Sequence, residues 1–202
     1  MKPDPNIPSR TRALTIGHSN HEARWLVSLL ALHHVEVLVD IRSTPVTQRT
    51  PHFDLPEIRK LIKSAGMRFV YLGSELGGRP KDSRMYDADG YVLYWRLAES
   101  DAFVRGMARL EAESRHSTVA VMCSEEDPLG CHRRLLVGRV LNSQGVTTGH
   151  IRGDGTLESE ESVASRETDL QQMPLFSSAE GTEWKSLRSV LQRSRQASSL
   201  GH

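Results

Sequence analysis

The sequence predicts an α/β fold, a single domain on a mainly parallel sheet of about five strands with helices on both faces. Three observations lead there. Runs of strand length at 13–16, 35–41, 68–72, 119–122 and 146–151 are mostly apolar and lack the wet-face alternation of a half-exposed sheet. Between them, apolar residues recur at helical spacing. Polar and reactive residues gather just after the strands rather than within them, where parallel sheets place their ligands.

Taken in order, residues 1–12 are Pro-rich and read as a flexible N-terminus. ALTI at 13–16 is a short buried strand stopped by Gly17-His18-Ser19-Asn20, a turn able to cap the helix after it. Trp25, Leu26, Leu29, Leu30 and His33 then share a helical face. The second strand, VEVLVDI, ends in Asp40, Ile41 and Arg42. A helix over 55–65 stops at Gly66, where a residue with free φ suits a helix end. The strand at 68–72 runs into LGSELGG, whose glycines lack the spacing of a phosphate-cradling loop and read as a flexible connection. Helical patterns cover 91–99 and 101–115, a fourth strand 119–122, a helix 135–141 and a fifth strand 146–151.

Composition excludes several classes. Twenty-six Lys and Arg against twenty-five Asp and Glu leave a net charge of +1, so no global field draws the chain to nucleic acid or an anionic membrane. Two cysteines make no disulfide framework, no apolar signal region follows Met1, and no run would span a bilayer, so a cytoplasmic, non-membrane protein is expected.

CSEEDPLGCHRR at 123–134 concentrates the chemistry. Asp127 and Pro128 are suited to start a helix, which would put Cys131, His132 and Arg133 near its positive end. Three uses are open. Cys123, Cys131 and His132 could hold zinc or iron, although a seven-residue gap between the cysteines is not a zinc-knuckle spacing. A cysteine could act as nucleophile, with His18 across the sheet edge a better base than the neighbouring His132. Arg42, Arg133, His18, Ser19 and helix-start amides could bind an anion, the use that best fits a parallel sheet. The structural alternative makes Cys123 a small buried hydrophobe and the charges a solvated network, against which stands the acid and base closing the apolar VEVLVDIR strand.

TIGHS at 15–19, VDIRSTP at 39–45, YLGSELGG at 71–78 and MCSEEDPLGCHRR at 122–134, in that order, resemble a bacterial and archaeal family known as domain of unknown function 488. The resemblance covers about 13–151 and implies a compact α/β domain with a common site, but no reaction. Its motifs point to His18, Ser19, Asp40, Arg42, Gly77, Gly78, Cys123, Glu125, Cys131, His132 and Arg133.

The domain is therefore expected over 13–152, followed by an acidic flexible linker, 153–183, poor in large apolar residues. Within it Gln172-Met173-Pro174-Leu175-Phe176 is similar to the pentapeptide by which bacterial repair and replication proteins hold the sliding clamp: Gln172 leads, Met173 comes next, and Leu175 and Phe176 would enter an apolar pocket. Residues 184–202 read as a short amphipathic basic helix or tail around Trp184, Leu187, Val190 and Leu191. The expected function is an enzyme or binding domain for a phosphorylated or nucleic-acid-related substrate, such as a nucleotide, recruited to DNA repair or replication by its tail. In it Arg42 and Arg133 bind the anion, Asp40 or Glu125 acts as acid or base, and His18 or Cys131 assists, with Ser19, Gly77, Gly78 and His132 lining the site.

Overall fold

The computed structural model describes residues 12–46, 48–172 and 184–188. Strands β1 (Arg12–Gly17), β2 (Val37–Asp40), β3 (Arg68–Tyr71), β4 (Val119–Cys123), β5 (Thr147–Ile151) and β6 (Leu157–Ser159) form one sheet in the order β3-β2-β4-β1-β5-β6. Every pairing is parallel except β5 with β6, which is antiparallel at the edge. The fold class agrees with the sequence, with a sixth strand added.

Alternate residues of the central strands feed two cores, as the period of a strand requires. Val37 and Val39 of β2 and Val119 and Val121 of β4 face one core, and Leu38, Ala120 and Met122 face the other. The second core is closed by α1 (Ala23–Leu32) and α2 (Leu55–Ser64) through Leu26, Leu29, Leu30, Ile58 and Ile62. The first is closed by α3 (Gly73–Leu76), α4 (Tyr94–Ala98), α5 (Asp101–Ser114), and a helix that opens with a wide π turn, Arg133–Gly138, and continues as α6 (Arg139–Ser143). Among the described residues no helix is long and apolar enough to cross a membrane.

The layering locates the switch point of the sheet. The connection leaving β4 passes over one face, whereas those leaving its neighbours β1 and β2 pass over the other. The end of β4 is therefore the topological switch point, where a parallel sheet opens a crevice at its carboxyl edge. Backbone bonds hold the three strand ends together beyond the strands: His18 N donates to Cys123 O (3.0 Å), Ser19 N to Ser124 O (2.9 Å), and Ile41 N to Met122 O (3.1 Å).

Four expectations need correction. The helix after β4 does not start at Pro128. Leu129 N donates to Asp127 Oδ1 and Cys131 N to Pro128 O, which closes a separate turn, and Cys131 O then receives Arg134 N and Leu135 N as the helix proper begins. LGSELGG is no loose connection, because it holds α3. The linker expected at 153–183 folds, over its described part, into β6 and α7 (Glu160–Gln172). Three of its acids are paired: buried Arg134 bonds Glu160 (2.8 Å) and Glu167 (2.9 Å), and Glu158 is shared by Arg152 and Arg166, which also hold Asp127 of the preceding loop. Finally, 184–188 is not helical. Lys185 bridges Leu93 in antiparallel fashion, and Trp184 Nε1 donates to Leu135 O (2.7 Å) with Arg139 stacked on its ring.

Candidate functional site

Cys123 ends β4 at the switch point, and the turn at 127–130 brings the chain back so that Cys131 and His132 meet it at the start of the next helix. The His132 Nδ1 atom lies 3.5 Å from Cys123 Sγ and 4.0 Å from Cys131 Sγ, and the three donor atoms lie within 4.8 Å of one another. His132 Nε2 is 3.2 Å from the carbonyl of Ile41, which can only accept, so the ring proton resides on Nε2 and the Nδ1 lone pair faces the sulfurs. Gly78 lies flat against this ring. A Cβ there would come within 2.6 Å of His132 Cγ.

Both cysteines are reduced and buried, while His132 is half-buried. A hydrogen bond from Cys131 holds the Cys123 thiol well below the usual range despite burial, aided by His132 and Arg133. Burial and the neighbouring Cys123 charge push Cys131 up. For His132, burial favours the neutral ring, but the Cys123 charge and hydrogen bond outweigh it and raise the pKa. Without another occupant these shifts favour a Cys123 thiolate that accepts a hydrogen bond from the Cys131 thiol and, when the ring takes up a second proton, one from His132 Nδ1.

A second network adjoins. Arg42 grips Asp40 through Nε (2.9 Å) and Nη2 (2.6 Å), and its Nη1 donates to His18 Nε2 (3.1 Å). His18 Nδ1 donates to Ser19 O (2.7 Å) and its ring packs on Phe53. Burial, then the Arg42 charge, lower the His18 pKa to about 4, so this ring is neutral at physiological pH.

This geometry revises the roles assigned from sequence. Arg42 and Arg133 are not free for an anion. Arg42 is committed to Asp40 and His18, and Arg133, fully buried, donates to the carbonyls of Glu125 and Glu126 (2.6 Å for the latter) and to Thr15 Oγ1 (3.3 Å). Asp40 is sealed by Arg42, while Glu125 is exposed on the loop. His18 does not meet either sulfur in a hydrogen bond, and His132 is the partner instead. Ser19 fastens the loop through its amide, at a positive φ of 49°. Gly77 is pressed against Ser43 Oγ and the Gly73 carbonyl. Gly17, not singled out from sequence, lets the Glu125 carbonyl cross β1 at a distance no side chain would allow. Thr15 and His150 were also missed; the signal was a polar residue inside a buried strand. Gln172 closes α7, and Met173, Pro174, Leu175 and Phe176 lie outside the described residues.

The family model for "Domain of unknown function DUF488" matches residues 23–140, more than half of the 202-residue chain. The chain belongs to the DUF488 family. That match contains the donor trio, Gly77, Gly78, Asp40, Arg42 and Arg133, whereas β1 with His18, and β5 through α7, fall outside it. No curated protein and no solved structure matches the chain.

Proposed function

We propose that this DUF488 domain is a thiophilic-metal site, with Cys123, Cys131 and His132 as protein ligands and zinc as the first candidate ion. The observation that carries the reading is the spacing of the donors. Bond lengths of about 2.3 Å to sulfur and 2.0–2.1 Å to nitrogen give a tetrahedral nitrogen–sulfur edge of roughly 3.6 Å, which the 3.5 and 4.0 Å separations bracket. Support comes from Nε2, since a metal-bound imidazole usually donates its other N–H to a carbonyl or carboxylate, as His132 does to Ile41. Three protein ligands leave a position for water or a substrate oxygen, which such an ion polarises. Glu125 supplies a carboxylate for proton transfer on the same loop, and exposed Arg79 and Lys81, just after Gly78, replace Arg42 and Arg133 as the groups to attract a phosphorylated or nucleic-acid-related substrate.

The test is metal content. Chain purified from zinc-replete cells should carry close to one equivalent, and Cys123→Ser, Cys131→Ser and His132→Ala should each lower it sharply. Equal content in all four, or none in the parent chain, contradicts the reading.

A second reading concerns recruitment. QMPLF at 172–176 has the order of the clamp-binding pentapeptide, and the chain on either side is anchored, at α7 by Arg134 and at Trp184 by Leu135. Leu175 and Phe176 would offer two apolar anchors to a sliding clamp. Full chain should bind the clamp and lose binding on Leu175→Ala with Phe176→Ala; unchanged binding removes the pathway assignment.

A further inference from the structure

We infer that the β6–α7 extension positions the loop between the two cysteines through a buried relay of hydrogen bonds, with Thr15, His150 and Arg133 as positioning residues. This deepens the metal reading and rests on it, because the loop it holds joins two of the three ligands.

The relay crosses the sheet. Glu160, in the first turn of α7, meets His150 Nε2 at 3.0 Å; His150 Nδ1 meets Thr15 Oγ1 at 2.8 Å; Arg133 Nε donates to Thr15 Oγ1 at 3.3 Å. The Arg133 guanidinium then ends on the carbonyls of Glu125 and Glu126. One set of protons satisfies every link. The Glu160 carboxylate accepts, so His150 carries its proton on Nε2 and accepts on Nδ1. Thr15 then donates its only hydroxyl proton to His150 and accepts from Arg133, which donates throughout.

Burial gives the chain its force. Thr15, His150 and Arg133 are each at most 1 % exposed, so water cannot replace a lost partner. Glu160 is also held from the other side by Arg134, the residue after Arg133, so α7 is locked at the point where the relay starts. At the far end, Gly17 allows the Glu125 carbonyl to sit over β1 within reach of Arg133. Arg133 therefore comes directly after a ligand in sequence and fixes the loop preceding the other ligand in the same helix start. Groups that orient ligands in this way typically influence metal affinity by about 10–100-fold.

The experiment compares zinc affinity of the full chain as Thr15→Val, Thr15→Ser and Glu167→Gln. Valine keeps the shape and removes the hydroxyl, serine keeps the hydroxyl, and Glu167→Gln weakens the α7 contact with Arg134 without touching the relay. Expected are a loss of about ten-fold or more in Thr15→Val, with near-parent affinity in the other two. Parent-like affinity in Thr15→Val, or equal losses in the valine and serine variants, overturns the inference. If the parent chain binds no zinc, the metal reading fails by itself, and the relay is read from iodoacetamide alkylation of Cys123. Thr15→Val must then react faster than the parent and Thr15→Ser, and equal rates overturn it.

Discussion

His132 connects its surroundings through both ring nitrogens, one toward two sulfurs and one to the Ile41 carbonyl, with Gly78 pressed on the ring face. Gly78→Ala should therefore turn the ring and weaken zinc binding about ten-fold, measurable by competition with a chromophoric chelator, while the far-UV spectrum stays that of the parent. His18 makes a prediction about pH. Its folded pKa of about 4 lies below the ordinary 6.5, so between those values the unfolded chain takes up a proton that the folded chain refuses. Stability is complete above about pH 6.5 and falls as the pH drops toward 4, with this residue accounting for roughly 2 kcal/mol between pH 7.5 and 5. Urea unfolding at both pH values should show that drop in the parent and a smaller one in His18→Gln. The sequence located these residues because each comes after a strand, but it could not reveal that Arg42 and Arg133 have internal partners. That depended on Asp40 lying two residues away on a strand end and on carbonyls crossing from a turn. Thr15 and His150 were legible only as polar residues in buried strands, a signal that strand assignment alone passes over.

Among the elements, α7 shows why an acidic stretch is not always a solvated one. Glu160 and Glu167 lie seven residues apart on one helical face and both reach Arg134, while Val163 between them is fully buried. Arg134, which matches them, is distant in sequence, which is why composition pointed to a linker. Removing Arg134 takes from Glu167 its guanidinium partner and leaves Glu160 with His150; after allowing for the residual exposure of both carboxylates, Arg134→Ala should cost about 2 kcal/mol. Hydrogen exchange should show faster exchange at 160–172 and unchanged protection in β1 and β4. Uniform protection, or loss across the whole sheet, would mean that α7 is not an independent clasp. The helix after β4 was misplaced for a related reason. Asp127 and Pro128 are sound starting residues, but their turn closes on itself at Cys131, and the helix starts where the imidazole must face Cys123.

For the molecule as a whole, strand and helix periodicity was enough to predict a parallel α/β sheet, and the order β3-β2-β4-β1-β5-β6 explains why its reactive residues collect at one edge. The short antiparallel β6 and the docked 184–188 segment were invisible to periodicity, being too brief to show a repeat, and 184–188 is in addition held by partners distant in sequence. The architecture places β4 between strands whose connections leave on the opposite face, so Cys123 ends its strand at the switch point of the sheet. The most direct test of a metal centre there is the absorption spectrum of the full chain titrated with cobalt(II). Thiolate-to-cobalt charge transfer in the near ultraviolet, visible bands of tetrahedral intensity, and saturation at one equivalent, all lost in Cys123→Ser, are expected. A featureless spectrum, or one unchanged by Cys123→Ser, would contradict the account.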